Sequence, residues 1–95
     1  MIIGWTDRTK EDYRALPGAI QDKADKAFRL FRDNPRHPSL HAEKIDHKKD
    51  IWSARIDLNY RFTFQWIHDG IFIRRIASHR EACRRPWQGL SQNAS

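Results

Sequence analysis

Two arginines, Arg55 and Arg61, lie in a stretch where apolar and polar residues alternate. Apolar side chains take every second position from Trp52 to Trp66, which is typical of half-buried β-strands. Residues 57–59 are turn-like, so the stretch should form a hairpin with Arg55 opposite Arg61 on the open face. Adjacent guanidinium groups repel each other unless an anion lies between them, and phosphate suits arginine geometry. The hairpin is therefore predicted to bind phosphate. The alternative is a pair of ordinary surface arginines.

A basic cluster precedes the hairpin and consists of Lys44, His47, Lys48 and Lys49. It could steer RNA or supply a base, although three acidic residues in the same stretch dilute its charge, and a solvated loop is the alternative. His41 and His47 do not suggest a metal site, because they are separated by a loop and no cysteine lies near them. We therefore expect no metal and no other cofactor.

The positive charge of the chain is uneven. The net charge is +6, and residues 1–47 hold nine basic and eight acidic side chains, whereas residues 48–95 hold nine and four. This distribution favours a localised anion-binding surface for nucleic acid or an acidic partner, with a merely solvated surface as the alternative. The single cysteine excludes an internal disulfide. Neither a signal peptide nor a membrane span is recognisable, so we expect a cytoplasmic protein that does not contact membranes.

The periodicity predicts one small α+β domain over residues 1–95, with a frayed tail at about 91–95. Its elements should follow the order β-α-α-β-β-β, as a helix hairpin packed on a sheet. They are a strand at 2–5, a helix ending at 17–18, a helix at 18–33, an ordered loop at 34–50 and strands on both sides of the turns at 57–59 and 68–70.

Details of the loop and of the last strand are predicted less completely. Leu40 and Ile45 should anchor the loop at 34–50, and Gly70 should take a positive φ in the second hairpin turn. The last strand, 71–78, is apolar on both faces, so its register is left open. That register decides whether Arg74 or Arg75 faces the same way as Arg61.

Six segments in this order and spacing resemble the RelE/ParE superfamily of bacterial type II toxins. The likeness covers nearly the whole chain, and the order of the segments carries it rather than any single motif. The segments are Trp5 with the helices after it, Leu30-Phe31-Arg32-Asp33-Asn34-Pro35, His37-Pro38-Ser39-Leu40, Trp52-Ser53-Ala54-Arg55-Ile56, Asn59-Tyr60-Arg61-Phe62 and Ile76-Ala77-Ser78-His79-Arg80-Glu81-Ala82.

The resemblance implies a helix pair on one face of a curved, mainly antiparallel sheet and a basic groove on the other. RelE-like members cut messenger RNA in the ribosomal decoding site, where the RNA 2′-hydroxyl attacks the adjacent phosphate. ParE-like members inhibit DNA gyrase instead. Members of both kinds are neutralised by a cognate antitoxin. We therefore expect an endoribonuclease whose partners are an antitoxin, the ribosome and mRNA. A gyrase inhibitor and an inactive toxin-like protein that binds only its antitoxin are the alternatives.

The resemblance also assigns roles to residues. Arg61 would stabilise the transition state, His79 would move protons, and Arg80 would hold the leaving phosphate. Residues expected to contact RNA are Arg55, Lys44, Lys48, Lys49, Arg75 and Trp87. Cys83 stands where ribonuclease members often carry a tyrosine. A thiol cannot stack on a base. Either His79 transfers the protons while Trp87 stacks on the base, or the nuclease activity is weak or lost.

Overall fold

A computed structural model of the protein describes residues 1–78. The strands are β1 (Ile2–Trp5), β2 (Glu43–Asp46), β3 (Ile51–Arg55), β4 (Tyr60–Ile67) and β5 (Gly70–Ser78). The helices are α1 (Asp7–Ala15), α2 (Gly18–Asp33) and a 3-10 helix at Pro38–Leu40. None of the helices in this part of the chain has the length and apolar character needed to cross a membrane.

The two long helices begin and end where their sequences predict. The Thr6 hydroxyl accepts a hydrogen bond from the Thr9 backbone N–H at 3.0 Å and so caps α1. Pro17 stands immediately before α2, where its fixed φ does not interrupt the helix. α2 then buries a stripe at helical spacing, from Ala24 through Ala27 and Phe28 to Phe31.

The strands form one mixed sheet in the order β1-β5-β4-β3-β2. β1 pairs with β5 in parallel, and the other three pairings are antiparallel. The buried stripe of α2 packs on this sheet, with Phe31 against Phe62 and Phe64 at ring-centroid distances of 5.9 and 5.0 Å. The prediction of an α+β fold with a mainly antiparallel sheet is confirmed.

The predicted loop at 34–50 is wrong in one respect, because residues 43–46 form β2. The described chain therefore has one more strand than the predicted order. Only four residues long and interrupted by a bulge between Lys44 and Asp46, β2 has too little regular alternation to be recognised in the sequence. Leu40 anchors the segment as expected, since it is 1% exposed and belongs to the core. Ile45 is half-buried beside the bulge.

A bulge between Thr63 and Phe64 sets the register of β5. Phe64 pairs with Ile73 and Thr63 pairs with Arg75, so Arg74 has no partner on β4. The extra residue brings Ile76 onto the same face as Ile71 and Ile73, and all three enter the helix-side core. A strict two-residue period counted from Ile71 and Ile73 would put Ile76 on the other face, because such a period cannot include a bulge.

The second hairpin turn lies at 68–69, but Gly70 does not have a positive φ, contrary to the sequence-based expectation. Gly70 is instead the first residue of β5, paired with Ile2 of β1. A Cβ atom at Gly70 would overlap the Ile2 carbonyl oxygen and lie 2.7 Å from the Ile2 nitrogen. Glycine is required here because two backbones approach closely.

Gly70→Ala should therefore destabilise the protein by about 3 kcal/mol, because the parallel β1–β5 pairing must separate to admit the methyl group. Gly18→Ala is the matched control. Nothing lies within 4 Å of its added Cβ, so its effect should stay within about 1 kcal/mol. Urea denaturation of both variants makes the comparison. Equal stabilities would contradict the close approach of β1 and β5.

Candidate nucleic-acid interface

The face of the sheet opposite the helices, called here the helix-free face, carries buried polar side chains. Strand register places them there, since Ser53 pairs with Thr63 and Arg55 pairs with Arg61, while the neighbouring pairs face the helices. Ser53 and Thr63 are fully buried, and Arg61 is 3% exposed. Arg55 and Arg61 are thus opposite each other as predicted, but Arg61 is not on an open surface.

Arg61 is held by its neighbours in the sheet. Its Nε donates a hydrogen bond to the Ser53 hydroxyl at 3.0 Å, and Nη2 donates to the His41 carbonyl oxygen at 2.8 Å. Both acceptors are neutral. The guanidinium therefore reaches across β3 towards the start of β2. Arg61 is a cation with a fixed orientation, which is the property required of a group that stabilises developing negative charge.

Arg55 faces a different environment. It is half-buried and borders a cavity of about 290 Å³ beside α2, together with Lys23 and Lys26. The Asp57 carboxylate, two residues further along the chain, lies 3.5 Å from the Lys23 ammonium. Among residues 1–78, Arg55 therefore has a guanidinium without a carboxylate partner, at the edge of the sheet rather than beside the Arg61 group.

Arg75 forms a buried ion pair with Asp12 of α1. Its Nε lies 2.9 Å from Asp12 Oδ2, and the two side chains are about one-tenth exposed. The same carboxylate oxygen accepts the Ile76 backbone N–H at 3.0 Å, while the other oxygen lies 3.4 Å from Arg8 Nε. The expected RNA contact by Arg75 thus competes with a structural role, because its charge already holds α1 against β5.

Arg74 has no partner on β4 and occupies the helix-free face, like Phe72 two residues before it. Its guanidinium donates a hydrogen bond to the Gln65 side-chain oxygen and lies 5.6 Å from the centroid of the Phe72 ring. Gln65 is held in turn by the Lys49 carbonyl oxygen, 2.7 Å from its Nε2. Burial lowers the pKa of the Arg74 guanidinium from its ordinary value. Alternation from Ile71 and Ile73 gives Arg74 this face, and the bulge then places Arg75 opposite Thr63, so a strict two-residue period could not decide between the two arginines.

The predicted lysine cluster divides between the two faces. Lys44 pairs in register with Trp52, on the helix side, and its ammonium lies 3.0 Å from Asp50 and 5.8 Å from the centroid of the Trp52 ring. This hydrogen bond lowers the pKa of Asp50. Lys48 and Lys49 are exposed in the turn after β2, and the Lys49 backbone joins the Gln65 and Arg74 network. The structure therefore connects the Lys49 backbone to Gln65 on the helix-free face, whereas Lys44 lies on the helix side.

Four residues of the predicted site lie outside the described residues 1–78: His79, Arg80, Cys83 and Trp87. Their roles stay predictions. β5 runs to Ser78, whose register partner is Tyr60, next to Arg61.

Sequence reasoning missed the groups that hold Arg61. The contact with Ser53 could have been predicted from the alternation, because Ser53 is two residues before Arg55 in the paired strand and so lies diagonal to Arg61. The contact with the His41 carbonyl could not have been predicted, since His41 is twenty residues away and belongs to a segment without periodicity. Asp12 likewise had no signal, as its contact with Arg75 spans 63 residues.

Comparisons with known proteins agree on the architecture. No protein-family model and no curated protein sequence matches the chain. Among solved structures, a YoeB/ParE toxin from Agrobacterium tumefaciens superposes with a TM-score of 0.68 at 19% identity, covering 83% of this chain and 99% of that one. RelE in a RelB–RelE antitoxin–toxin complex from Methanococcus jannaschii gives 0.67 at 18% identity, covering 82% and 92%. YafQ from E. coli gives 0.68 at 11% identity, covering 83% and 93%.

These identities are too low to transfer an activity, but the superpositions cover most of each chain. The helix pair on one face of a mainly antiparallel sheet, which the resemblance implied, is found in this protein, and the sheet has five strands in the order β1-β5-β4-β3-β2. The protein has the fold of the RelE/ParE toxins.

Proposed function

We propose that this protein is the toxin of a type II toxin–antitoxin system and that it inhibits translation by cutting mRNA on the ribosome. The fold supports the toxin assignment. The nuclease assignment is supported by one observation, the guanidinium of Arg61 held by Ser53 and His41 on the helix-free face. We further propose that the chain acts as one domain in the cytoplasm, with the ribosome, mRNA and an antitoxin as its partners.

The proposed reaction is an internal transesterification of RNA. The 2′-hydroxyl loses its proton and attacks the adjacent phosphorus, the bond to the 5′-oxygen of the next nucleotide breaks, and that oxygen takes up a proton. The products are a 2′,3′-cyclic phosphate and a 5′-hydroxyl end. Arg61 would stabilise the charge on the pentacoordinate phosphorus, His79 would transfer protons, and Arg80 would hold the leaving side.

Nearby groups would guide the RNA to this position. Lys48, Lys49 and Arg74 place positive charge around the helix-free face, and Arg55 adds a cation at its edge. Trp87 would offer a ring for a base, replacing the stacking that Cys83 cannot provide. These assignments are part of the proposal, and each can be tested by substituting the single residue.

The proposal predicts a defined cleavage pattern in cells. After induced expression, growth should stop, and mRNA ends should map within codons in the ribosomal A site. Primer extension on a reporter mRNA measures this, with an untranslated copy of the same RNA as the control. Intact mRNA together with gyrase-linked DNA breaks would assign the protein to the ParE-like activity. Growth arrest with neither lesion would contradict both readings.

A further inference from the structure

A cleft lies between α2, the 3-10 helix and the end of β3. It has a volume of about 290 Å³. Its floor is aliphatic, formed by Ala27, Leu30, Leu40 and Ile56, and its rim is cationic, formed by Lys23, Lys26 and Arg55. An aliphatic floor with a basic rim fits a ligand that combines an aliphatic group with negative charge.

Two of the three rim cations lack a carboxylate partner within the chain from Met1 to Ser78. Lys23 is paired with Asp57, but neither Lys26 nor Arg55 has a carboxylate oxygen within ion-pair distance. The Asp57 carboxylate is already engaged, since one oxygen is paired with Lys23 and the other accepts the backbone N–H groups of Asn59 and Tyr60 at 2.8 Å each. The rim is therefore complementary to carboxylates or phosphates supplied from outside.

The lining favours a peptide over RNA. Proteins that bind single-stranded RNA stack its bases on aromatic rings, and none of the residues from 1 to 78 that line this cleft is aromatic. An aliphatic floor is suited instead to a leucine, isoleucine or valine side chain, and carboxylates on both sides of that residue would meet Lys26 and Arg55. The expected occupant is an acidic peptide segment with an aliphatic anchor.

The surface continues beyond the 3-10 helix into a second cavity. Ser39 and Leu40 line the cleft, and their neighbours Pro38 and His41 line a cavity of about 770 Å³ that also contains Trp66. Trp66 is 42% exposed, which is high for a tryptophan. A peptide segment that leaves the cleft across the 3-10 helix would thus meet a further apolar surface, as an extended partner requires.

We infer that this cleft binds an acidic segment of the antitoxin, which places an aliphatic side chain on the floor and carboxylates against Lys26 and Arg55. The inference rests on the proposed function for the identity of the partner. It concerns a surface on the helix side of the sheet, which is distinct from the Arg61 group on the helix-free face.

Titration with the purified product of the adjacent reading frame tests the inference. Wild type, Lys26→Glu and Arg29→Glu are compared, all in an Arg61→Gln background that permits production. Lys26 and Arg29 are both exposed on α2, but only Lys26 lines the cleft. We expect Lys26→Glu to raise the Kd about tenfold or more and Arg29→Glu to change it less than twofold. The loss should shrink as salt is added.

The possible outcomes separate this inference from the proposed function. Equal Kd values for both variants would overturn the cleft as the docking site and leave the toxin assignment intact. Absence of binding to the parent protein would overturn the inference together with the antitoxin partner, while mRNA cleavage would still be decided by primer extension. If Lys26→Glu instead weakens binding of a 2′-O-methylated oligoribonucleotide and not of the antitoxin, the cleft contacts nucleic acid and the inference is wrong.

Discussion

Replacing Arg61 with glutamine should lower the rate of mRNA cleavage about 100- to 1000-fold, the range measured when one donor to a developing oxyanion is removed. The guanidinium is held by the Ser53 hydroxyl and the His41 carbonyl. Because it is already oriented in the native protein, no free energy is spent on orienting it during the reaction. Glutamine retains a polar side chain but neither the charge nor the two directed donors. Single-turnover cleavage of mRNA on purified ribosomes measures the effect.

Three further variants separate positioning from charge. Arg61→Lys keeps the charge but cannot make both hydrogen bonds, so it should also lose most of the activity. Ser53→Ala keeps Arg61 and removes one of its acceptors, and we expect kcat to fall about tenfold with KM nearly unchanged. Ser53→Thr, which restores a hydroxyl, should recover part of that loss. A Ser53→Ala variant with lower stability and normal kcat would show that Ser53 serves only the fold.

Thermal unfolding of each variant is the necessary control, because Arg61 is 3% exposed. The catalytic interpretation requires Arg61→Gln to remain folded at the assay temperature. A folded Arg61→Gln protein that cuts mRNA at the normal rate would remove Arg61 from the mechanism.

Replacing Asp12 with alanine should destabilise the protein by about 3–5 kcal/mol, which is the usual cost of leaving one member of a buried ion pair without its partner. Asp12 and Arg75 are each about one-tenth exposed, and their nearest atoms are 2.9 Å apart. The same change also removes the acceptor of the Ile76 N–H, so the edge of β5 loses one of its hydrogen bonds to α1. Denaturant unfolding followed by circular dichroism measures the loss.

The control is an exposed pair on the same helix. Lys10 and Asp7 lie 4.0 Å apart with side chains that are half or fully exposed, so Lys10→Ala should cost no more than about 0.5 kcal/mol. A double variant, Asp12→Leu with Arg75→Met, should recover much of the stability, because neither charge is then buried alone. If Asp12→Ala were as mild as Lys10→Ala, the ion pair would not hold α1 to the sheet.

Local patterns were sufficient where one period runs through a whole element. The alternation from Trp52 to Trp66 and the turn at 57–59 predicted the register that places Arg55 opposite Arg61. The helical spacing in α2 predicted its buried stripe. In each case the apolar residues of one element must all reach one core, so their spacing alone identifies the element and its buried face.

Patterns failed where a strand departs from its period. The bulge in β5 moves Ile76 to the helix side and places Arg75 opposite Thr63, and the bulge in β2 removes the alternation by which a strand is recognised. A single inserted residue reverses every assignment beyond it, and no residue type marks that position in this chain.

The sequence by itself determined the two helices, the central hairpin and the opposition of its two arginines, because these depend on neighbours along the chain. Only the tertiary structure decided what each arginine does. Arg61 points to the His41 carbonyl, Arg75 is held by Asp12, and Arg55 borders the cleft beside α2. An arginine side chain is long and flexible, so the direction of its guanidinium is set by whichever acceptors the fold brings near. Those acceptors come from distant parts of the chain.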